Sequence, residues 1–273
     1  MLIVTLREPP PVPLEAEALT PDVVAGLSLA DIRALPIFLG KRRLRVDDLC
    51  DVEGEPGECL EIRGDTGRVK WLGKGMTRGR IDIVGDAGMH LGSEMKGGMI
   101  HVGGNASDWI GAEMTGGLIH VRGNAGGQIG AAYRGSMAGM RGGTILIGGT
   151  AGLEVGMRMK RGTIAIRGRV GDFAGLQMKG GTIVLLSGAD IRTGAWMKRG
   201  TIISLAPLTL LPTFTFACEA NPTFLRLYAR HLDEFGFGFP HDERTGVYRR
   251  YNGDAAIPGH GEIYEWVGEP DGM

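Results

Sequence analysis

The segments GSEMKGGMIHVGGNA (92–106), GAEMTGGLIHVRGNA (111–125), GMRMKRGTIAIRGRV (156–170) and GLQMKGGTIVLLSGA (175–189) align position for position. Methionine marks the period. Met76, Met95, Met114, Met140, Met159, Met178 and Met197 lie 19 residues apart, except for a step of 26 between Met114 and Met140. That step is one period plus a seven-residue insertion near AAYRGSM (131–137), which is expected to bulge from one side and mark a contact face. GKGMTRGRIDIVGDA (73–87), AGMRGGTILIGGTA (138–151) and GAWMKRGTIISLAPL (194–208) complete the set, and ECLEIRGD (58–65) is a weaker first turn.

Each repeat carries one alternating apolar run. One column reads Ile81, Ile100, Ile119, Ile145, Ile164, Ile183 and Ile202, and two residues on stand Ile83, Val102, Val121, Ile147, Ile166, Leu185 and Ser204. Residues i and i+2 share one face of a strand, so both columns are expected to point inward. The column between them is polar early (Asp82, His101, His120) and apolar late (Leu146, Ala165, Val184, Ile203).

Nineteen residues are too few for a helix pair, and the glycine density opposes helix. The expected fold is mainly β, a right-handed parallel β-helix of about seven to eight 19-residue coils, stacked at the ordinary strand spacing of about 4.8 Å. Glycine forms the corners. Gly73, Gly92, Gly111, Gly130, Gly156, Gly175 and Gly194 make one column, and Gly85, Gly104, Gly123, Gly149 and Gly168 another. A corner repeated in every coil needs either a positive φ or a missing Cβ. The methionines read as core filler beside one corner.

Composition sharpens this picture. Residues 64–200 hold 36 of the 48 glycines, and no proline occurs between 57 and 206 although the chain of 273 residues has 13. A Gly-rich linker would carry proline, so the stretch reads as hydrogen-bonded backbone with tight corners. The net charge of -1 conceals a split: residues 58–205 carry 19 Lys and Arg against 11 Asp and Glu, and the flanks carry 11 against 20. A general nucleic-acid binder would be basic overall, so that class is not expected. No apolar run is long enough to cross a membrane, and the opening MLIVTLREPPP lacks the basic start of a signal peptide. Cys50, Cys59 and Cys218 are odd in number and form no CxxC, which points to a reducing, cytoplasmic setting.

Three parts follow: an N-terminal cap and linker (1–57), the repeats (58–205) and a C-terminal cap or interaction tail (206–273). Small α-helical and irregular segments are expected to cap the coil ends. Ser28 and Asp31 form a capping-box pattern closed by Pro36, and Asn221 with Pro222 reads as the start of a helix striped by Leu225, Tyr228, Leu232 and Phe235. Residues 246–266 read as irregular hairpins.

Catalytic motifs are scarce. The sequence has no Walker A loop and no nucleophile elbow, so no catalytic and no metal-binding residue is assigned. Of six histidines (90, 101, 120, 231, 241 and 260), His101 and His120 share a column and should lie about 5 Å apart on the outer face. An exposed polar ladder or partner contact is the favoured account, with a metal site or proton relay the alternative.

The corner spacing GxxGxxxG, in Gly85/Gly88/Gly92, Gly123/Gly126/Gly130, Gly149/Gly152/Gly156 and Gly168/Gly171/Gly175, resembles the glycine-repeat β-helix at the carboxyl end of the glutamate synthase large subunit. Repeat two departs from it, with Ser107 at the middle position. A longer stretch is similar to the C subunit of formylmethanofuran dehydrogenase: DIRALPIFLG…VDDLCDVEGE (31–55), GNASDWIGAEMTGGLIHVRGNAGGQIGAAYRGSMAGMRGGTI (104–145) and the ending GDAAIPGHGEIYEW. Its bacterial counterpart is the C subunit of the formyltransferase/hydrolase complex of methylotrophs, and the Ala-, Arg- and Gly-rich usage favours that branch. The resemblance implies a non-catalytic subunit in formaldehyde oxidation, where formyl passes from tetrahydromethanopterin to a methanofuran-type carrier and leaves as formate. It implies as partners the hydrolase, B and formyltransferase subunits, with no cofactor held by this chain. The alternatives are the C subunit of a molybdenum or tungsten formylmethanofuran dehydrogenase, and a glutamate-synthase-type domain.

A row of cations stands outside this assignment. The residues following the repeat methionines include Arg141, Lys160, Lys179 and Lys198, with Arg78, Arg161 and Arg199 one place further on. Such a row should stack about 5 Å apart along one edge. It is read as a solvated face, as a dock for an acidic surface of a partner or of the chain's own flanks, or, given the resemblance, as a track for an anionic carrier tail.

Overall fold

The computed structural model describes residues 1–240 and 246–268; His241 lies outside them. The N-terminal part holds β1 (Leu2–Leu6), β2 (Leu14–Glu15), α1 (Pro21–Val24), α2 (Leu29–Arg33), β3 (Pro36–Leu39), β4 (Arg42–Arg45), α3 (Val46–Leu49) and β5 (Cys50–Gly54). The repeats supply β6 (Cys59–Arg63), β7 (Val69–Lys70), β8 (Arg80–Ile83), β9 (Met99–Val102), β10 (Leu118–Val121), β11 (Arg141–Ile147), β12 (Arg161–Ile166), β13 (Lys179–Leu185) and β14 (Arg199–Ser204). The C-terminal part adds β15 (Thr215–Ala220), α4 (Leu225–Glu234), β16 (Val247–Gly253) and β17 (Gly261–Gly268).

The chain is mainly β and most of its strands gather into one large sheet, ordered β15-β16-β17-β14-β13-β12-β11-β10-β9-β8-β6-β1-β5, while β4-β3-β2-β7 form a second, smaller one. The alternation of the repeats sets its register: Ile81 pairs with Ile100, Ile100 with Ile119, and Ile119 with Ile145 across the insertion. The seven inward isoleucines are all fully buried, and so are the seven methionines to within 1%. Burying one such side chain is worth roughly 1.5–3 kcal/mol, so the columns dominate the stability of the stack. Both flanks add rungs to it. Leu2 of β1 pairs in parallel with Leu60, and Ile263 of β17 with Ile202.

Two further ladders run beside the strands. Short parallel bridges join Ala87 to Ala106 to Ala125, and Ala151 to Val170 to Ala189. At the corner, Gly92 N donates to Leu72 O, Gly111 N to Leu91 O and Gly130 N to Ile110 O, each at 2.8 Å. The two glycine columns answer different demands. The first has a positive φ throughout, from +58° at Gly111 to +74° at Gly175. The second lacks room from Gly104 onward: a Cβ on Gly168 would stand 2.7 Å from the Gly149 carbonyl, whereas one on Gly85 would meet nothing nearer than 3.6 Å.

The capping box is present, with Ser28 Oγ accepting from Asp31 N at 3.2 Å. The tail departs from expectation. The helix begins at Leu225, with Phe224 and not Asn221 at the N-cap position. It also lies along the side of the stack instead of across its end. Leu225, Ala229, Leu232 and Phe237 form one buried cluster with Leu146, Ala165, Val184 and Ile203. That is why the outer column turns apolar after His120. Tyr228 Oη bonds Thr182 Oγ1 at 2.7 Å, and Arg167 donates to the Phe237 carbonyl. β16 and β17 form an antiparallel hairpin as expected.

Candidate functional site

The cation row is assembled by backbone hydrogen bonds. Arg141 N donates to Met114 O (2.7 Å), Lys160 N to Met140 O (2.8 Å), Lys179 N to Met159 O (2.7 Å) and Lys198 N to Met178 O (2.7 Å). The four residues therefore occupy successive rungs of one edge, and His260 N donates to the Lys198 carbonyl at 2.7 Å, one position out of that series. Among the described residues, none of Arg141, Lys160, Arg161, Lys179, Lys198 and Arg199 forms an ion pair.

The acidic N-terminal flank meets only the early end of this edge. In α1, the Asp22 carboxylate accepts from Thr77 N at 2.9 Å and from the Thr77 hydroxyl, while Glu17 pairs with Lys74 at 3.2 Å. The late end is shaped by the insertion. Lys179 Nζ donates to Met137 O at 2.6 Å, and Arg158 donates to Ser136 O at 2.5 Å and to Gln177 Oε1 at 2.7 Å. These bonds hold the insertion over the edge and leave a groove of about 430 Å3, lined by Met137, Arg158, Gln177, Lys179, Trp196, Lys198 and Ile257. Trp196 is 49% exposed there and Met137 65%. Partial burial lowers the Lys179 ammonium pKa, and Lys160, Arg158 and Lys198 press it the same way.

The groove was only half legible in the sequence. Arg158, Gln177 and Trp196 form a column with Glu94 and Glu113, all at φ between +52° and +58°. A left-handed corner shared by Glu, Arg, Gln and Trp leaves no compositional trace. A second such column holds Trp71, His90 and Trp109, at φ of +63° to +66°. Trp71 and His90 stack with centroids 4.1 Å apart, and Tyr133 from the insertion packs on Trp109 at 5.0 Å. Tyr133 Oη also shares hydrogen bonds with His90 Nδ1 (2.9 Å) and buried Ser93 Oγ (2.7 Å). Tyr133→Phe leaves Ser93 only the Trp109 carbonyl at 3.5 Å. A loss of about 1–2 kcal/mol in thermal stability is expected, and an unchanged melting temperature would show these bonds to be dispensable.

His101 and His120 face each other across adjacent rungs with centroids 5.1 Å apart, as their shared column predicts. Burial lowers the pKa of both. Asp82, one rung earlier, is held by Arg80 at 2.7 Å. Among the described residues no group of three or more His, Cys, Asp or Glu is arranged to hold a metal ion. Nor is any of their helices long and apolar enough to cross a membrane. The three cysteines are free thiols.

A register-locked stack of glycine-cornered repeats, carrying its chemistry as surface rows, defines a class: the glycine-repeat β-proteins. Within that class the comparisons are specific. No protein-family profile matches the chain. A chain of the crystal structure of the formyltransferase/hydrolase complex from Methylorubrum extorquens, solved with methylofuran, matches at a TM-score of 0.89 and 34% identity, covering 97% of this chain and 99% of that one. The C subunit of the tungsten-containing formylmethanofuran dehydrogenase 2 of Methanothermobacter thermautotrophicus is 37% identical over 97 residues. The C subunit of the molybdenum-containing formylmethanofuran dehydrogenase 1 of the same organism is 44% identical over 83. These matches span 36% and 21% of the respective curated relatives, and 34% and 30% of this chain. The chain belongs to the family formed by the C subunit of formylmethanofuran dehydrogenase and its counterpart in the formyltransferase/hydrolase complex.

Proposed function

We propose that this chain is a non-catalytic structural subunit of a cytoplasmic formyltransferase/hydrolase complex. The complex passes formyl from tetrahydromethanopterin to a methanofuran-type carrier and releases it as formate, with both reactive centres on partner chains. The observation that carries this reading is the near full-length correspondence with a chain of such a complex, tail included. The matches to the metal-containing dehydrogenases cover about a third of the chain, which makes them the second choice. We further propose that the repeats wind as a right-handed parallel β-helix, which the three parallel ladders per repeat support. Its three parts are 1–57, 58–205 and 206–273. The row Arg141, Lys160, Lys179 and Lys198 is proposed to face an acidic surface of the assembly.

The test is co-expression of the full chain with the other subunits of the complex, followed by gel filtration and formate assay. The chain is expected to co-elute with them and to produce no formate from the formylated carrier when purified alone. Turnover by the isolated chain, or its absence from the assembled complex, would refute the proposal.

A further inference from the structure

We infer that the groove beside Lys179 and Lys198 seats an acidic α-helix of a partner subunit, laid along the row of rungs. The inference rests on the reading of this chain as a subunit and specifies what one of its faces receives.

Charge is the first argument. Arg141, Lys160, Lys179 and Lys198 succeed one another along one edge with no carboxylate paired to them among the described residues. Holding like charges at this spacing is unfavourable, and an array of opposite charge relieves it. A small anion would reach two of the four at most, whereas the row spans three rung steps, about 14 Å. About ten residues of α-helix have that length.

Spacing is the second. The rungs repeat at about 4.8 Å, whereas same-side residues of an extended strand recur at about 6.6 Å. A helix presents acids at i, i+3 and i+4 with a pitch of about 5.4 Å, close enough for flexible lysines to follow over three turns. The chain supplies its own precedent: α1 lies on the early end of this edge and lodges Asp22 on the Thr77 corner.

The groove floor is the third. Met137, Trp196 and Ile257 offer an apolar seat between the cations. Tryptophan, methionine and arginine are enriched in protein interfaces, and a desolvated aromatic anchor ringed by charge is their usual centre. Arg158 and Lys179 are already fixed by the carbonyls of Ser136 and Met137, so docking orders little that is loose.

The experiment is calorimetric titration of the full chain at low salt with two capped synthetic peptides of about 14 residues. One is helical, with Glu at i, i+4, i+7 and i+11 and a leucine on the same face. The other has the same composition with two central prolines that break the helix. The helical peptide is expected to bind, and to bind at least about ten-fold more tightly than the broken one. Affinity should fall by at least about ten-fold in Lys160→Gln/Lys198→Gln and in Trp196→Ala, variants of exposed side chains whose melting temperature should not change. Equal affinity for the two peptides would mean an unselective polyanion track and would overturn the inference. Failure of the helical peptide to bind, or binding indifferent to the substitutions, would do the same. A chain that fails this titration but still co-elutes with its partners leaves the subunit reading standing. One that passes it but does not co-elute overturns the subunit reading instead.

Discussion

Gly111→Val should bring the protein close to global unfolding. Gly111 has φ +58°, and a Cβ there would stand 2.5 Å from Ile145 Cδ1, in the next rung's buried column. A β-branched residue is penalised twice, by backbone strain of about 1–3 kcal/mol and by overpacking of about 1–3 kcal/mol more. Against a total stability of roughly 5–15 kcal/mol, that is a large fraction. Gly175→Val repeats the test three rungs on, at φ +74° with Ile202 Cδ1 at 2.7 Å. Gly75 is the control. Its φ is +64°, yet a Cβ would meet nothing within 4 Å, and its column accepts Glu94, Glu113 and Trp196. Gly75→Asn should therefore be tolerated. Melting followed by far-UV circular dichroism separates the cases. If both valine variants melt with the wild type, the corners do not carry the register.

Deleting 221–273 should turn the chain into an aggregating one. The truncation removes α4, which covers Leu146, Val184 and Ile203, each fully buried in the intact protein. It also removes β17, leaving β14 as an open edge. An apolar face beside an unpaired strand invites pairing between molecules. The face alone can be opened with Leu232→Asp, since Leu232 is fully buried in the helix contact. A buried carboxylate without a partner should undock α4 while β17 stays paired. Light scattering after gel filtration reads both variants. A truncated chain that stays monomeric and still joins its complex would show the tail to be dispensable.

Residue columns made most of the fold legible. The isoleucine, methionine and glycine positions are each defined by a demand that recurs in every repeat, so the sequence repeats with it. Where the demand falls on the backbone alone, the trace vanishes: Trp71, Gln128, Glu154 and Arg192 share one left-handed corner and have no chemistry in common. The placement of α4 was written in the outer column, whose change from His120 to Leu146 announces a cover but does not say which segment provides it. The cation row was visible as a series. The groove was not, because it needs the insertion's carbonyls at Ser136 and Met137, and carbonyls have no letter in a sequence.

The insertion also settles a matter of address. A row of like rungs is a ruler without numerals: a partner that gripped only its charges could slip by one notch and meet nearly the same pattern. Tyr133 and Met137 interrupt that translational sameness at a single coil, with one end of the loop keyed into the Trp109 stack and the other overhanging Lys179. Seven residues in one coil thus give the stack an origin from which position along it can be measured.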